Sequence, residues 1–180
     1  MSKRVLILST SPRRNSNSDA LAEAFAAGAR EAGHTVEKIS LIGKQIGFCQ
    51  GCLACQTTGR CVIHDDADRI VQQQMLHAEV LVFATPIYYY EMSGQMKTLL
   101  DRSNPLYGAD YAFREVYLLA TAAEDGEDVW RRAASGLEGW VACFERARLA
   151  GVVFGGGVTE AGAIRGNAAL DRAFEAGRNL

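Results

Sequence analysis

The sequence predicts an α/β protein built on an open parallel sheet. Short aliphatic runs such as Val5 to Leu8 and Val80 to Ala84 alternate with longer stretches of helical period. The runs are apolar at every residue, as in strands covered on both faces. No linker, repeat or compositional break divides the 180 residues, so a single domain spanning 1–180 is expected.

The elements follow in order. Val5 to Leu8 reads as the first strand. Residues 18–32 read as a helix with Leu21, Ala22, Phe25, Ala26 and Ala29 on one face, and Gly33 stands where a C-terminal cap belongs. Thr35 to Leu41 is a weaker strand, and 66–77 a helix. Val80 to Ala84 is a buried strand ended by Pro86, followed by a helix over 92–102. Val116 to Ala120 is the next strand, 126–147 a long helix, and Val152 to Phe154 the last strand. A helix over 166–178 closes the chain. Strands alternating with helices imply a parallel sheet, whose ligands bind at the carboxyl ends of the strands. That directs attention to 9–18, 85–95 and 121–126.

Composition excludes several classes. Lys and Arg total 19 against 21 Asp and Glu, for a net charge of -2, and no basic run exists to draw nucleic acid or an anionic membrane. The apolar N-terminal run is only four residues long, Val5 to Leu8, whereas a secretory signal needs about 7–15. A cytoplasmic protein is expected.

The first loop, Ser9-Thr10-Ser11-Pro12-Arg13-Arg14-Asn15-Ser16-Asn17-Ser18, carries five hydroxyls, two amides and two guanidinium groups. It precedes a helix, whose N-terminus is a ready phosphate site. It has no glycine, so it is neither a P-loop nor a dinucleotide turn, and it suits a terminal monophosphate. A plain polar turn with Asn17 or Ser18 as helix cap is the other reading. The loop after Ala84 holds Tyr88-Tyr89-Tyr90, whose rings suit a planar ligand, a neighbouring helix or a subunit contact.

Four cysteines, Cys49, Cys52, Cys55 and Cys61, fall in a C-x₂-C-x₂-C-x₅-C pattern. Three thiols at that spacing suit a [4Fe–4S] cluster. Zinc sites split into two separated halves and fit less well. Free or redox-active thiols and a disulfide stay open. Cys143 lies in a helical pattern and reads as a small buried apolar residue, and Trp130 and Trp140 as core or interface residues. Asp65 and Asp66 read as a helix cap, and His34, His64 and His77 as surface residues.

The loop Ser9–Ser18, the segment Pro86-Ile87-Tyr88 with Ser93, Gly94, Lys97, Asp101 and Arg102, and the run from Cys49 through Asp66 together resemble the NAD(P)H-dependent FMN reductase family. The cysteine run is similar to that of the iron–sulfur flavoproteins within the same superfamily. The resemblance implies a flavodoxin-like three-layer sandwich on a five-stranded parallel sheet, order 2-1-3-4-5. It implies that Ser9, Ser11, Arg13, Ser16, Asn17 and Ser18 hold the FMN phosphate. Pro86, Ile87, Tyr88, Tyr89, Ser93 and Gly94 would flank the ring, with Thr121, Ala122, Ala123 and Glu124 as the third wall. The implied activity is hydride transfer from NAD(P)H to FMN and on to a small electron acceptor, by a homodimer or homotetramer. An iron–sulfur electron carrier and a non-catalytic binding module are the alternatives. Because the cysteine loop follows the second strand, it is expected to border the flavin site or a subunit contact.

Overall fold

A computed structural model describes residues 1–126 and 128–180. Strand β1 (Arg4–Ser9) leads through a seven-residue turn, 10–16, into helix α1 (Asn17–Glu31), then β2 (Thr35–Ser40). The cysteine segment carries a short helix α2 (Ala54–Thr58). Helix α3 (Asp66–Arg69) widens into a π-helical turn over Ile70–Met75, marked by the bond from Leu76 N to Val71 O. Then follow β3 (Val80–Tyr88), the two-residue β4 (Glu91–Met92), α4 (Gly94–Arg102), β5 (Glu115–Thr121), α5 (Arg131–Val141), β6 (Arg148–Gly155) and α6 (Ala169–Arg178).

The five long strands are parallel in the order β2-β1-β3-β5-β6, which is 2-1-3-4-5 when only these are counted. The sheet differs from expectation by one addition: β4 pairs antiparallel with the end of β3. Alternation along β1 sends Val5 and Ile7 to one face and Leu6 and Leu8 to the other. The first face is covered by α1 and α6 through Leu21, Phe25, Ala169 and Ala173. The second is covered by α3, α4 and α5 through Ile70, Met96, Leu99 and Leu137. Helices α1 and α6 meet backbone to backbone: a Cβ at Gly28 would collide with the carbonyl of Phe174, and one at Gly177 with that of Phe25.

Two boundaries depart from the sequence reading. Strand β3 runs through Pro86 to Tyr88. By then β1 has ended, its last pair being Ser9 with Ala84, so Pro86 is flanked by β5 alone, opposite Thr121. The missing N–H costs no ladder bond on the β1 side. The helix expected over 126–147 occupies only Arg131–Val141. Beyond it, Cys143 and Phe144 donate to carbonyls three residues back, at Trp140 and Val141. Such turns preserve the apolar spacing that made the stretch look helical. Cys143 is consequently exposed, not buried, and its thiol donates to Gly139 O at 3.5 Å. Trp140 packs against Phe83, Phe113 and Phe144 in the core. No helix among the described residues is long and apolar enough to cross a membrane.

Candidate functional site

A cleft of about 190 Å³ opens where the strand ends and their loops converge. Ser11, Arg13, Ser16, Asn17 and Ser18 line one end, Pro86, Ile87 and Tyr88 one side, and Thr121, Ala122 and Ala123 the other. Three loops from separate parts of the chain thus meet at one sheet edge, as open parallel sheets require.

The phosphate-type loop is built locally. Asn15 adopts a left-handed conformation (φ 52°), tolerated by its short polar side chain, and turns the chain into α1. Ser16, not Asn17 or Ser18, is the N-cap, accepting from Asp19 N at 3.1 Å. The hydroxyls of Ser16 and Ser18 lie 3.3 Å apart, and Ser11, Ser16 and Ser18 are all buried while facing the cleft. Arg13 is exposed. The side chain of Asn17 is turned elsewhere: its Nδ2 donates to Glu160 O at 2.9 Å and its Oδ1 accepts from Ile164 N at 3.2 Å.

Five residues expected here do not line the cleft. Ser9 is buried within β1, paired with Ser40 and Ala84. Ser93 is fully buried as the N-cap of α4, accepting from Met96 N, and its own N–H donates to Thr85 Oγ1 at 3.0 Å. Its hydroxyl also meets Thr10 Oγ1 at 3.1 Å, tying the first loop to the second. Gly94 faces a separate groove with Leu41 and Phe48. Tyr89 and Tyr90 form the two-residue turn of the β3–β4 hairpin, both at positive φ (51° and 66°), as a right-twisted hairpin demands. That turn throws Tyr89 fully into solvent. Tyr90 swings over to Glu124, its hydroxyl donating to Oε2 at 3.0 Å, so Glu124 braces the two walls. The hydrogen bond to that carboxylate raises the Tyr90 phenol above its ordinary pKa.

A fourth contributor was missed. Val158 and Thr159, in the loop after β6, also line the cleft. The run Gly155-Gly156-Gly157 after a strand was the available signal.

The cysteine loop lies apart. No residue of 49–61 lines the cleft, so of the two expected places, flavin site or subunit contact, the loop does not take the first. The loop packs instead near the ends of α4 and α5, where Cys49, Leu53, Asn104, Trp140 and Cys143 border one groove. Cys55 Sγ accepts from Asn104 Nδ2 at 3.0 Å, and none of the five cysteines forms a disulfide. Among the described residues no three His, Cys, Asp or Glu side chains are grouped to take a metal ion. Carboxylates hold the loop: Arg60 grips Asp68 through Nη2 at 2.7 Å, and His64 Nδ1 lies 3.3 Å from the same carboxylate. Asp65 is the N-cap of α3, as expected, and also takes Gly47 N at 2.8 Å. Burial opposes its charge, but hydrogen bonds from Arg102, Gly47 and Asp68 prevail and hold its pKa below the usual carboxylate value.

Comparison with known proteins gives the chain its relatives. Residues 3–157 match the family model for NADPH-dependent FMN reductase. An iron-sulfur flavoprotein of Archaeoglobus fulgidus is 35% identical over 95 residues, 53% of this chain and 43% of that one. Another, of Methanocaldococcus jannaschii, is 37% identical over 103 residues, 57% and 53%. The chain thus spans about half the length of the curated relatives it matches. The fold is that of an NAD(P)H:quinone oxidoreductase from Methanothermobacter marburgensis, with TM-score 0.75 and 24% identity over 100% of this chain and 98% of that one. It is also that of an azoreductase from Bacillus anthracis, with TM-score 0.72 and 17% identity over 100% of both chains. With a family model matching most of its length, a flavodoxin-like sheet and a hydroxyl-rich loop at the sheet's carboxyl edge, the chain belongs to the NADPH-dependent FMN reductase family.

Proposed function

We propose that the chain binds FMN in this cleft and acts as an NAD(P)H-dependent oxidoreductase toward a small electron acceptor. The observation that carries the reading is the meeting of two complementary surfaces in one cleft. One end offers buried hydroxyls and the N-terminus of a 15-residue helix, a donor set for a phosphate. The other offers Pro86, Ile87 and Tyr88 facing Thr121 to Ala123, a slot for a planar ring.

Held by these residues, FMN would supply the redox chemistry that links a nicotinamide donor to the acceptor. The chain's part is to hold and orient. Ser11, Ser16 and Ser18 and the first turn of α1 bind the phosphate, with Arg13 adding charge. The half-buried ledge of Pro86 and Ile87 keeps water from one side of the ring. The exposed hairpin tip leaves the mouth open to nicotinamide and acceptor in turn. Titration of the purified chain with FMN, followed by flavin-dependent oxidation of NADPH and of NADH with a quinone or azo acceptor, tests this. No binding of FMN would refute the reading. FMN binding without nicotinamide oxidation would leave a binding module.

A second reading is favoured by the relatives' name and the cysteine spacing: an electron carrier using an iron–sulfur cluster held by Cys49, Cys52, Cys55 and Cys61. Iron and acid-labile sulfide assayed after anaerobic purification decide between the two. As for assembly, Phe48, Tyr89, Tyr107 and Leu53 are exposed apolar side chains, more than one small ligand covers. We infer a homodimer or homotetramer, and a monomer in sedimentation at micromolar concentration with FMN bound would overturn it.

A further inference from the structure

Residues 156–164 run from the end of β6 back across the sheet edge to the start of α1, and they touch both ends of the cleft. At one end they join the wall after β5: Val158 N donates to Ala122 O at 2.9 Å and Gly157 N to Glu124 O at 3.2 Å. Gly156 makes that junction possible, since a Cβ there would stand 2.7 Å from the Asp125 Cα and the Glu124 carbonyl. At the other end they join the phosphate-type loop. Arg13 Nη1 donates to Thr159 O at 2.8 Å, and Asn17 spans the turn from Glu160 O to Ile164 N. The side chains of Val158 and Ile164 are buried in the core under α1 and α6. The segment is a fixed strap, not a loose loop.

We propose that this strap determines the specificity for a terminal phosphate, by holding Arg13 in place, with Asn17 as its positioning residue. The proposal rests on the reading of the cleft as an FMN site. A guanidinium is a planar fork of five donors. With Nη1 on the Thr159 carbonyl, the fork is tied before ligand arrives, at a residue that itself lines the cleft. An exposed arginine without that tie would lose its rotamer freedom on binding, and the loss would weaken the contact. Asn17 therefore serves the phosphate indirectly. Its side chain secures the strap, the strap's carbonyl orients Arg13, and Arg13 meets the phosphate.

The test is a comparison of FMN with riboflavin, which differ only in the phosphate. Asn17→Ala is expected to weaken FMN about tenfold and riboflavin less than twofold, with circular dichroism unchanged. In an Arg13→Ala background the same substitution is expected to change FMN affinity less than twofold, because its route to the phosphate is already gone. Equal losses for both ligands, or full additivity with Arg13→Ala, would overturn the proposal. Should Asn17→Ala not fold, the wild-type chain still decides: amide exchange over 156–164 slows with FMN and not with riboflavin, and unchanged exchange with FMN would overturn it. A wild-type chain that binds no FMN would instead refute the site reading itself.

Discussion

Arg102 and Asp65 face each other in a two-point ion pair, Nη1 to Oδ2 at 2.7 Å and Nη2 to Oδ1 at 3.0 Å, with the arginine side chain wholly buried. The same guanidinium donates to Gly47 O at 2.7 Å and Ile63 O at 2.8 Å. Those carbonyls lie just before Cys49 and just after Cys61, so one residue at the end of α4 clasps both ends of the cysteine loop. Arg102→Met leaves Asp65 partly buried without its partner. Loss of one member of a buried pair costs about 3–5 kcal/mol. Urea denaturation is expected to show a loss of that order, while FMN affinity, set in a cleft this clasp does not touch, stays within twofold.

The same pair predicts an acid response. The Asp65 pKa is depressed in the folded chain, whereas an unfolded aspartate titrates near about 3.9. Its stabilisation is therefore fully present above that value and is lost as pH falls through the lower folded value. Asp66 and Asp68 are depressed as well, Asp66 chiefly by the N–H of Gln45 and Asp68 chiefly by Arg60, and add to the same trend. Denaturation midpoints compared from neutral pH to pH 3 should fall less steeply for Asp65→Asn than for the wild type. Equal slopes would remove Asp65 from the account.

Arg13→Ala combined with Ser18→Ala removes a charged donor and a buried hydroxyl from the phosphate end of the cleft. Hydrogen bonds to charged groups contribute about 1.5–3 kcal/mol each. Fluorescence titration is expected to show FMN affinity reduced at least a hundredfold, and a loss under tenfold would place the phosphate elsewhere.

Gly28→Ala tests the contact of α1 with α6. The added methyl would meet the Phe174 carbonyl, which is backbone and has no rotamer to escape into. Overpacking of this kind costs about 1–3 kcal/mol. A lowered melting temperature with unchanged FMN affinity is expected, because Gly28 lies three turns from the Ser16 cap.

Cys52→Ser is expected to leave FMN affinity within twofold, since no cysteine borders the cleft. A folded Cys52→Ser chain that no longer binds FMN would mean that the loop moves to build the flavin pocket.

Much of this architecture was legible in the chain itself. Aliphatic runs and helical periods record which face of each element is buried, and they located the five long strands and most of the helices. The hydroxyls of the loop after β1 and the aromatic end of β3 were legible too, because each stands in one short stretch. Other features needed the folded chain. Arg13 and Thr159 are 146 residues apart, and Asn17 and Glu160 are 143 apart, yet the path of one loop across the sheet edge brings each pair into contact. Nothing in the local pattern of Asn17 separates a side chain aimed at a ligand from one turned to a distant carbonyl. Likewise Cys49 to Cys61 read as one compact motif, but Arg102, Asn104 and Asp68 decide where that loop lies. Periodicity reports burial against whatever neighbour is nearest. Which neighbour it is, and so which polar group is spent on the fold and which is left for a ligand, follows only from packing the helices on the sheet.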